Sequence, residues 1–186
     1  MSSIPPESDE AQIKRIHDTF TMFMRISKRW FVQHLQSFGL TLPQFITLAT
    51  LAAHQQACTM SDLTNVTFQD PPTTTGIVDR LVKSSLIQRT HSQIDRRVVL
   101  VEATPAGIDL VNQIEQSLTE AAIPTFSILN GEELANFEYL LGRLMRAHLQ
   151  QFMAIKDEDV DAEIEKMKQF VKDPIAYMKL EVEKTS

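Results

Sequence analysis

Residues 59–107 read TMSDLTNVTFQDPPTTTGIVDRLVKSSLIQRTHSQIDRRVVLVEATPAG and carry, in order, the signals for helix, turn, helix, hairpin and helix. Thr59 followed by Asp62 forms a cap for a short helix, because a hydroxyl accepts from the free amides of a first turn and an acid favours its positive end. That helix is predicted to run to about Thr67. Asp70 offers a second cap, and Pro71 and Pro72 fit a first turn whose amides lack intrahelical partners. In the second helix Ile77, Val78, Leu81 and Val82 recur at helical spacing, which assigns Thr73, Thr74, Thr75, Gly76, Asp79, Arg80 and Lys83 to the opposite side.

Short hydroxyl side chains and a glycine let a helix approach a duplex closely, with threonines reaching phosphates or base edges and a methyl touching thymine. A polar helix start is the plain alternative for the same residues. The hairpin favours the first reading. Leu86 to His91 and Val98 to Ala103 are β-rich runs around a polar turn, Ser92 to Asp95, with Arg96 and Arg97 just past it. Two arginines beside such a tip suit a narrow minor groove, and Asp95 is expected to pair with one guanidinium and hold its plane. Arg89, in the first of these runs, is a further candidate DNA-binding cation. The order of elements builds a winged helix-turn-helix with double-stranded DNA as its partner.

These residues resemble the MarR family of transcriptional regulators. Asp95, Arg97, Thr104 and Gly107 match its wing motif of Asp-x-Arg, a strand and Thr-x-x-Gly, and LTLPQF at 40–45 and PPTTTGIVDRLVKSSLI at 71–87 also follow its pattern. The likeness spans roughly residues 11–155. It implies that Thr73, Thr74 and Thr75 lie on the recognition helix and that Arg97 is the wing arginine entering the minor groove. The family commonly has Gly where this chain has Phe68 and Ser85, an apolar residue in place of Gln69, and a larger apolar residue in place of Ala103. Ser85 must therefore adopt or avoid the left-handed backbone that Gly takes freely at a helix C-terminus.

Around this segment the chain is predicted to be mainly α. Residues 1–10 read as a flexible N-terminus, 11–38 as a dimerisation helix, 39–104 as the winged DNA-binding domain, 105–155 as C-terminal dimerisation helices and 156–186 as an additional helical extension. From Ala11 to Phe38 the residues Ile13, Ile16, Phe20, Phe23, Trp30, Phe31, His34, Leu35 and Phe38 fall mainly on one helical stripe, which needs a partner. Thr104 and Pro105 start a helix expected to kink or break at Pro124. Asn130 and Glu133 form a capping box for a helix carrying Leu134, Phe137, Leu140, Leu141, Leu144, Met145, Leu149 and Phe152. In the resembled family such terminal helices interlock two subunits. A two-fold dimer reads half-sites about 34–36 Å apart, so the operator is expected to be near-palindromic. Beyond Asp157, an amphipathic pattern through Ile164, Met167 and Phe170 or Val171, then Ile175, Met178 and Val182, is interrupted near Pro174. Extra packing against the dimer is favoured there over a lid.

The net charge of −6 runs against a nucleic-acid partner only as a sum. Asp62, Asp70, Asp79 and Asp95 are outnumbered within 59–97 by Arg80, Lys83, Arg89, Arg96 and Arg97, whereas Asp157 to Asp161 is strongly acidic. No stretch approaches the roughly 20 apolar residues of a membrane span, and residues 1–10 lack a secretory pattern, so the cytoplasm is expected. Cys58 is the only cysteine, which rules out an intrachain disulfide; an inert thiol is favoured over a redox sensor. The five histidines form no close metal-ligand motif, and neither metal nor cofactor is expected. No nucleotide-binding glycine loop, nucleophile elbow or zinc-protease motif is present, so the chain does not read as an enzyme.

The resemblance further implies a pocket for a small aromatic or amphipathic effector, with Trp30, His34, Phe45 and Leu48 as candidate lining residues against ordinary core packing. A homodimeric repressor released by an effector is thus the leading function. A winged-helix protein-interaction module without sequence-specific DNA binding is the alternative.

Overall fold

The computed structural model describes residues 9–54, 56–92, 95–153 and 155–172 of the chain. Several expectations lie outside them: the flexible N-terminus up to residue 8, Gln93 and Ile94 of the wing turn, and the break at Pro174 with the apolar residues beyond it. The chain forms two compact units divided between Leu42 and Pro43.

The first unit is helix α1, Asp9–Ser37. It closes on Gly39, whose φ of 74° is the left-handed conformation, with the Leu40 amide donating to the Leu35 carbonyl and the Gly39 amide to that of Gln36. This is a Schellman turn, and only glycine enters it without strain. Much of the predicted apolar stripe is solvent-facing, including Ile13, Ile16, Phe20 and Phe23.

The second unit begins one residue into α2 (Leu42–His54) and continues with β1 (Cys58–Thr59), α3 (Met60–Thr67), α4 (Pro71–Lys83), β2 (Ile87–His91), β3 (Val99–Ala103), α5 (Pro105–Phe126) and α6 (Gly131–Phe152). A short 3-10 turn at Asp157–Asp159 leads into α7 (Val160–Lys172). The expected hairpin is present, with Ile87 opposite Ala103 and His91 opposite Val99. It is one strand short of the full sheet. Cys58 and Thr59 pair with Val101 and Leu100, so the order is β1-β3-β2 and Cys58 is a buried β residue. Leu63, Val66, Ile77, Val78, Leu81, Ile87 and Val101 bury the apolar faces of α3, α4 and the sheet.

Of the kink or break expected at Pro124 the break does not occur, for helix α5 continues to Phe126 before Ser127 caps it. The proline falls in the last turn, where the carbonyl it leaves unbonded belongs to exposed Glu120 and can take water instead. The capping box of α6 forms as expected, with Asn130 Oδ1 accepting from the amides of Glu132 and Glu133 and the Asn130 amide donating to Glu133. Helix α7 packs on the end of α6. Val160 is fully buried, Arg146 pairs with Asp161, and Gln150 donates to Asp157 at 2.7 Å.

Candidate nucleic-acid interface

The helix-turn-helix is built from two caps. Thr59 accepts from the Asp62 amide while its own amide donates to the Asp62 carboxylate, both at 3.1 Å, so α3 starts on a complete capping box. At α4 the Asp70 carboxylate accepts from the Thr73 amide at 2.9 Å and from the Thr73 hydroxyl at 2.7 Å. The Thr73 hydroxyl foremost, and then its amide, hold the Asp70 carboxyl below its ordinary acidity range, so it is an anion at neutral pH. With prolines at the first two helical positions and the third amide capped, no N–H of that turn is left to meet a ligand.

The turn between the helices places Phe68 at φ 52°, and the chain after α4 places Ser85 at φ 58°. Both positions keep the left-handed backbone although neither is glycine, which costs about 1–2 kcal/mol per residue. At Ser85 the geometry is again a Schellman turn, the Leu86 amide donating to Leu81 and the Ser85 amide to Val82. Phe68 has no packing to offset its backbone, being 83% exposed. Gln69 behind it carries a buried Oε1 that has no hydrogen-bond partner among the described residues.

Along α4 the exposed residues include Thr73, Thr75, Arg80 and Lys83, as expected of a reading face. Thr74 is a correction. Its side chain is 0% exposed, and its hydroxyl donates to the Asp70 carbonyl at 3.1 Å. Thr74, Ile77, Val78 and Leu81 form a single buried stripe at spacings of three and four residues, so Thr74 belongs to the core face and cannot touch a base from this position. The Thr75 hydroxyl donates back to the Pro71 carbonyl at 2.9 Å. With the Thr73 hydroxyl proton also committed, both groups retain only acceptor lone pairs and a methyl for an outside partner.

The wing corrects a second expectation. Asp95 does not hold a guanidinium; its carboxylate accepts from the Arg97 backbone amide at 2.9 Å and so shapes the tip through the main chain. Val98 N–H donates to the Asp95 carbonyl, Ser92 N–H to Val98, and the Arg96 carbonyl lies 3.0 Å from His91 Nδ1. Arg96 and Arg97 are exposed. Arg89 reaches from β2 to Asp79 on α4 at 2.6 Å, a half-exposed ion pair that ties the wing strand to the recognition helix and that sequence spacing did not disclose. The Thr104 hydroxyl fixes the base of the wing by donating to the Ser85 carbonyl at 2.8 Å and accepting from the Gly107 amide at 3.1 Å.

The remaining candidates fall apart by environment. Trp30 is 43% exposed and stacks on His34 with ring centroids 5.0 Å apart. Phe45 is half-buried. Leu48 is a core residue, fully buried beside Gly107.

Comparison with known proteins agrees with this geometry. The family model described as MarR family matches residues 38–98. A Bacillus subtilis (strain 168) HTH-type transcriptional regulator, YsmB, is 30% identical over 110 residues, covering 59% of this chain and 75% of the relative. The HTH-type transcriptional repressor NicR of Pseudomonas putida is 32% identical over 106 residues, which is 57% of this chain and 66% of NicR. Among solved structures, an S. aureus MepR variant bound to an oligodeoxyribonucleotide superposes with a TM-score of 0.61 at 26% identity, over 71% of this chain and 96% of that one. These relatives are regulators of transcription rather than enzymes, and among the described residues no helix is long and apolar enough to cross a membrane. The chain belongs to the MarR family of winged helix-turn-helix proteins and is a DNA-binding transcriptional regulator.

Proposed function

We propose that the chain acts in the cytoplasm as a homodimeric repressor, binds a near-palindromic operator and is released from it by a small aromatic or amphipathic effector. The observation that carries DNA reading is the wing tip. Arg96 and Arg97 are exposed, and among the described residues no carboxylate pairs with either guanidinium, so both are available to a minor groove. Arg80 and Lys83 add phosphate-seeking cations on α4, whereas Arg89 is already engaged with Asp79 and serves the site by position. The dimer is supported by large apolar side chains left in solvent: Phe20 and Phe23 on α1, and Leu140, Leu141 and Leu144 on α6. Exposed apolar surface on that scale marks an interface. Trp30 offers the aromatic face an effector of that class requires.

The test is operator binding by Arg97→Ala across a salt series, on a fragment from upstream of the coding region. Affinity falls, the helical spectrum and dimer persist, and each lost phosphate contact lowers the log-log salt slope by about 0.9. Unchanged affinity at all salt concentrations refutes the wing assignment. Candidate phenolic ligands added to the same assay test release.

A further inference from the structure

We infer that Gly76 is a specificity-determining residue of the recognition helix, its missing side chain leaving room for the C5-methyl group of a thymine in the major groove. The inference rests on α4 being the element that enters the groove.

A glycine inside a helix weakens it relative to alanine, so its presence calls for a left-handed backbone or a close neighbour. Gly76 has neither. Its φ lies outside the positive range that Gly39 occupies, and a Cβ built on it meets nothing within 4 Å. Gly107 shows the contrast, since a Cβ there would lie 2.2 Å from the Leu86 carbonyl oxygen. Nothing among the described residues uses the space beside Gly76.

The position faces outward. Thr74, Ile77, Val78 and Leu81 define the buried stripe of α4, and helical periodicity sets Pro72, Gly76, Asp79 and Lys83 on the ridge opposite it, where Asp79 is engaged by Arg89. The surroundings then select the partner. Pro71 and Pro72 have no N–H, the Thr73 amide is capped by Asp70, and the hydroxyl protons of Thr73 and Thr75 go to Asp70 and Pro71. On the N-terminal side of Gly76 the start of α4 therefore presents a pyrrolidine ring, methyl groups and oxygen lone pairs, with no hydrogen to donate; the donor one turn further on is Arg80, a cation suited to phosphate. Phosphate oxygens and the O6 and N7 acceptors of guanine need donors, which this half of the helix lacks. An A·T pair fits: thymine offers a methyl to an apolar recess, and adenine offers an amino group to a lone pair.

The experiment uses the full-length chain and a duplex selected by it from a randomised pool. Each thymine of that duplex is replaced in turn by deoxyuridine, which removes only the methyl, and binding is measured for the wild type and Gly76→Ala beside their thermal unfolding. In each half-site one replacement weakens the wild type about fourfold, the worth of about one buried CH2-sized group. Gly76→Ala unfolds about 2–4 °C higher, binds the selected duplex about tenfold more weakly, and no longer distinguishes thymine from deoxyuridine at that position. A pool that yields no selected sequence overturns the DNA reading together with this inference. A selected duplex that Gly76→Ala binds as tightly as the wild type, or one in which no deoxyuridine weakens the wild type, overturns the inference alone.

Discussion

Replacing Gly107 with alanine is predicted to destabilise the protein out of proportion to the single methyl added. The new Cβ would stand 2.2 Å from the Leu86 carbonyl oxygen and 3.0 Å from Leu48 Cδ1, against ordinary contacts that begin near 3.4 Å. Neither neighbour is free to retreat. The Leu86 amide is bonded to Leu81, its carbonyl accepts from the Thr104 amide at 3.0 Å, and Leu48 is fully buried. Helix α5 must therefore lift by more than 1 Å, which strains the bonds linking Thr104 to Ser85 and Leu86. Overpacking contributes about 1–3 kcal/mol, and two weakened hydrogen bonds about 1 kcal/mol each. Together these are a large share of the roughly 5–15 kcal/mol that holds a domain folded. At about 2–4 °C per kcal/mol for a chain of this size, Tm falls by about 10 °C. Circular dichroism melts at one fixed protein concentration read the effect without interference from association. A variant melting within about 3 °C of wild type refutes the close approach of α5 to the Leu86 turn.

The two left-handed positions behave in the opposite sense: Phe68→Gly and Ser85→Gly each relieve backbone strain, which exceeds the added chain entropy of glycine by about 0.5–1 kcal/mol, and a Tm no higher than wild type contradicts the strain assigned there. Thr74→Val keeps the shape of a buried side chain, so operator preference measured by competition stays within twofold, about 0.4 kcal/mol, of wild type; a changed base preference would return Thr74 to the reading face. Asp70 has its carboxyl pKa depressed in the folded state, so its contribution to stability is present above the ordinary carboxylate range and is lost as pH falls through the lowered value. Chemical denaturation of wild type and Asp70→Ala across acid pH tests this: the advantage of the wild type shrinks below about pH 4, and a difference independent of pH refutes the cap.

The DNA-reading unit was legible because its signals are local. A capping residue, two prolines at the start of α4 and an alternating hairpin each act within a few residues, and the observed α3, β2 and β3 begin and end, and α4 begins, within a residue of expectation. Features that depend on distant partners were not. Cys58 and Thr59 become a strand only because Leu100 and Val101 lie beside them, some forty residues on. The place of Thr74 was available from its spacing to Ile77, Val78 and Leu81, but its hydroxyl disguised a valine-shaped side chain whose polarity is satisfied by the carbonyl four residues back. Asp95 had two nearby donors, and only the turn geometry decides for the Arg97 amide over its guanidinium. The ion pair of Asp79 with Arg89 joins two elements whose relative placement no local pattern encodes.

The first turn of α4 also sets how the protein meets simple salts. Helix starts ordinarily attract sulfate and inorganic phosphate through their spare amides, but here prolines and an aspartate occupy those places. Such anions gain no foothold at the first turn of α4. What such anions meet on this surface is the side-chain charge of Arg80, Lys83, Arg96 and Arg97, so their competition with operator is carried by those four cations and not by the helix start.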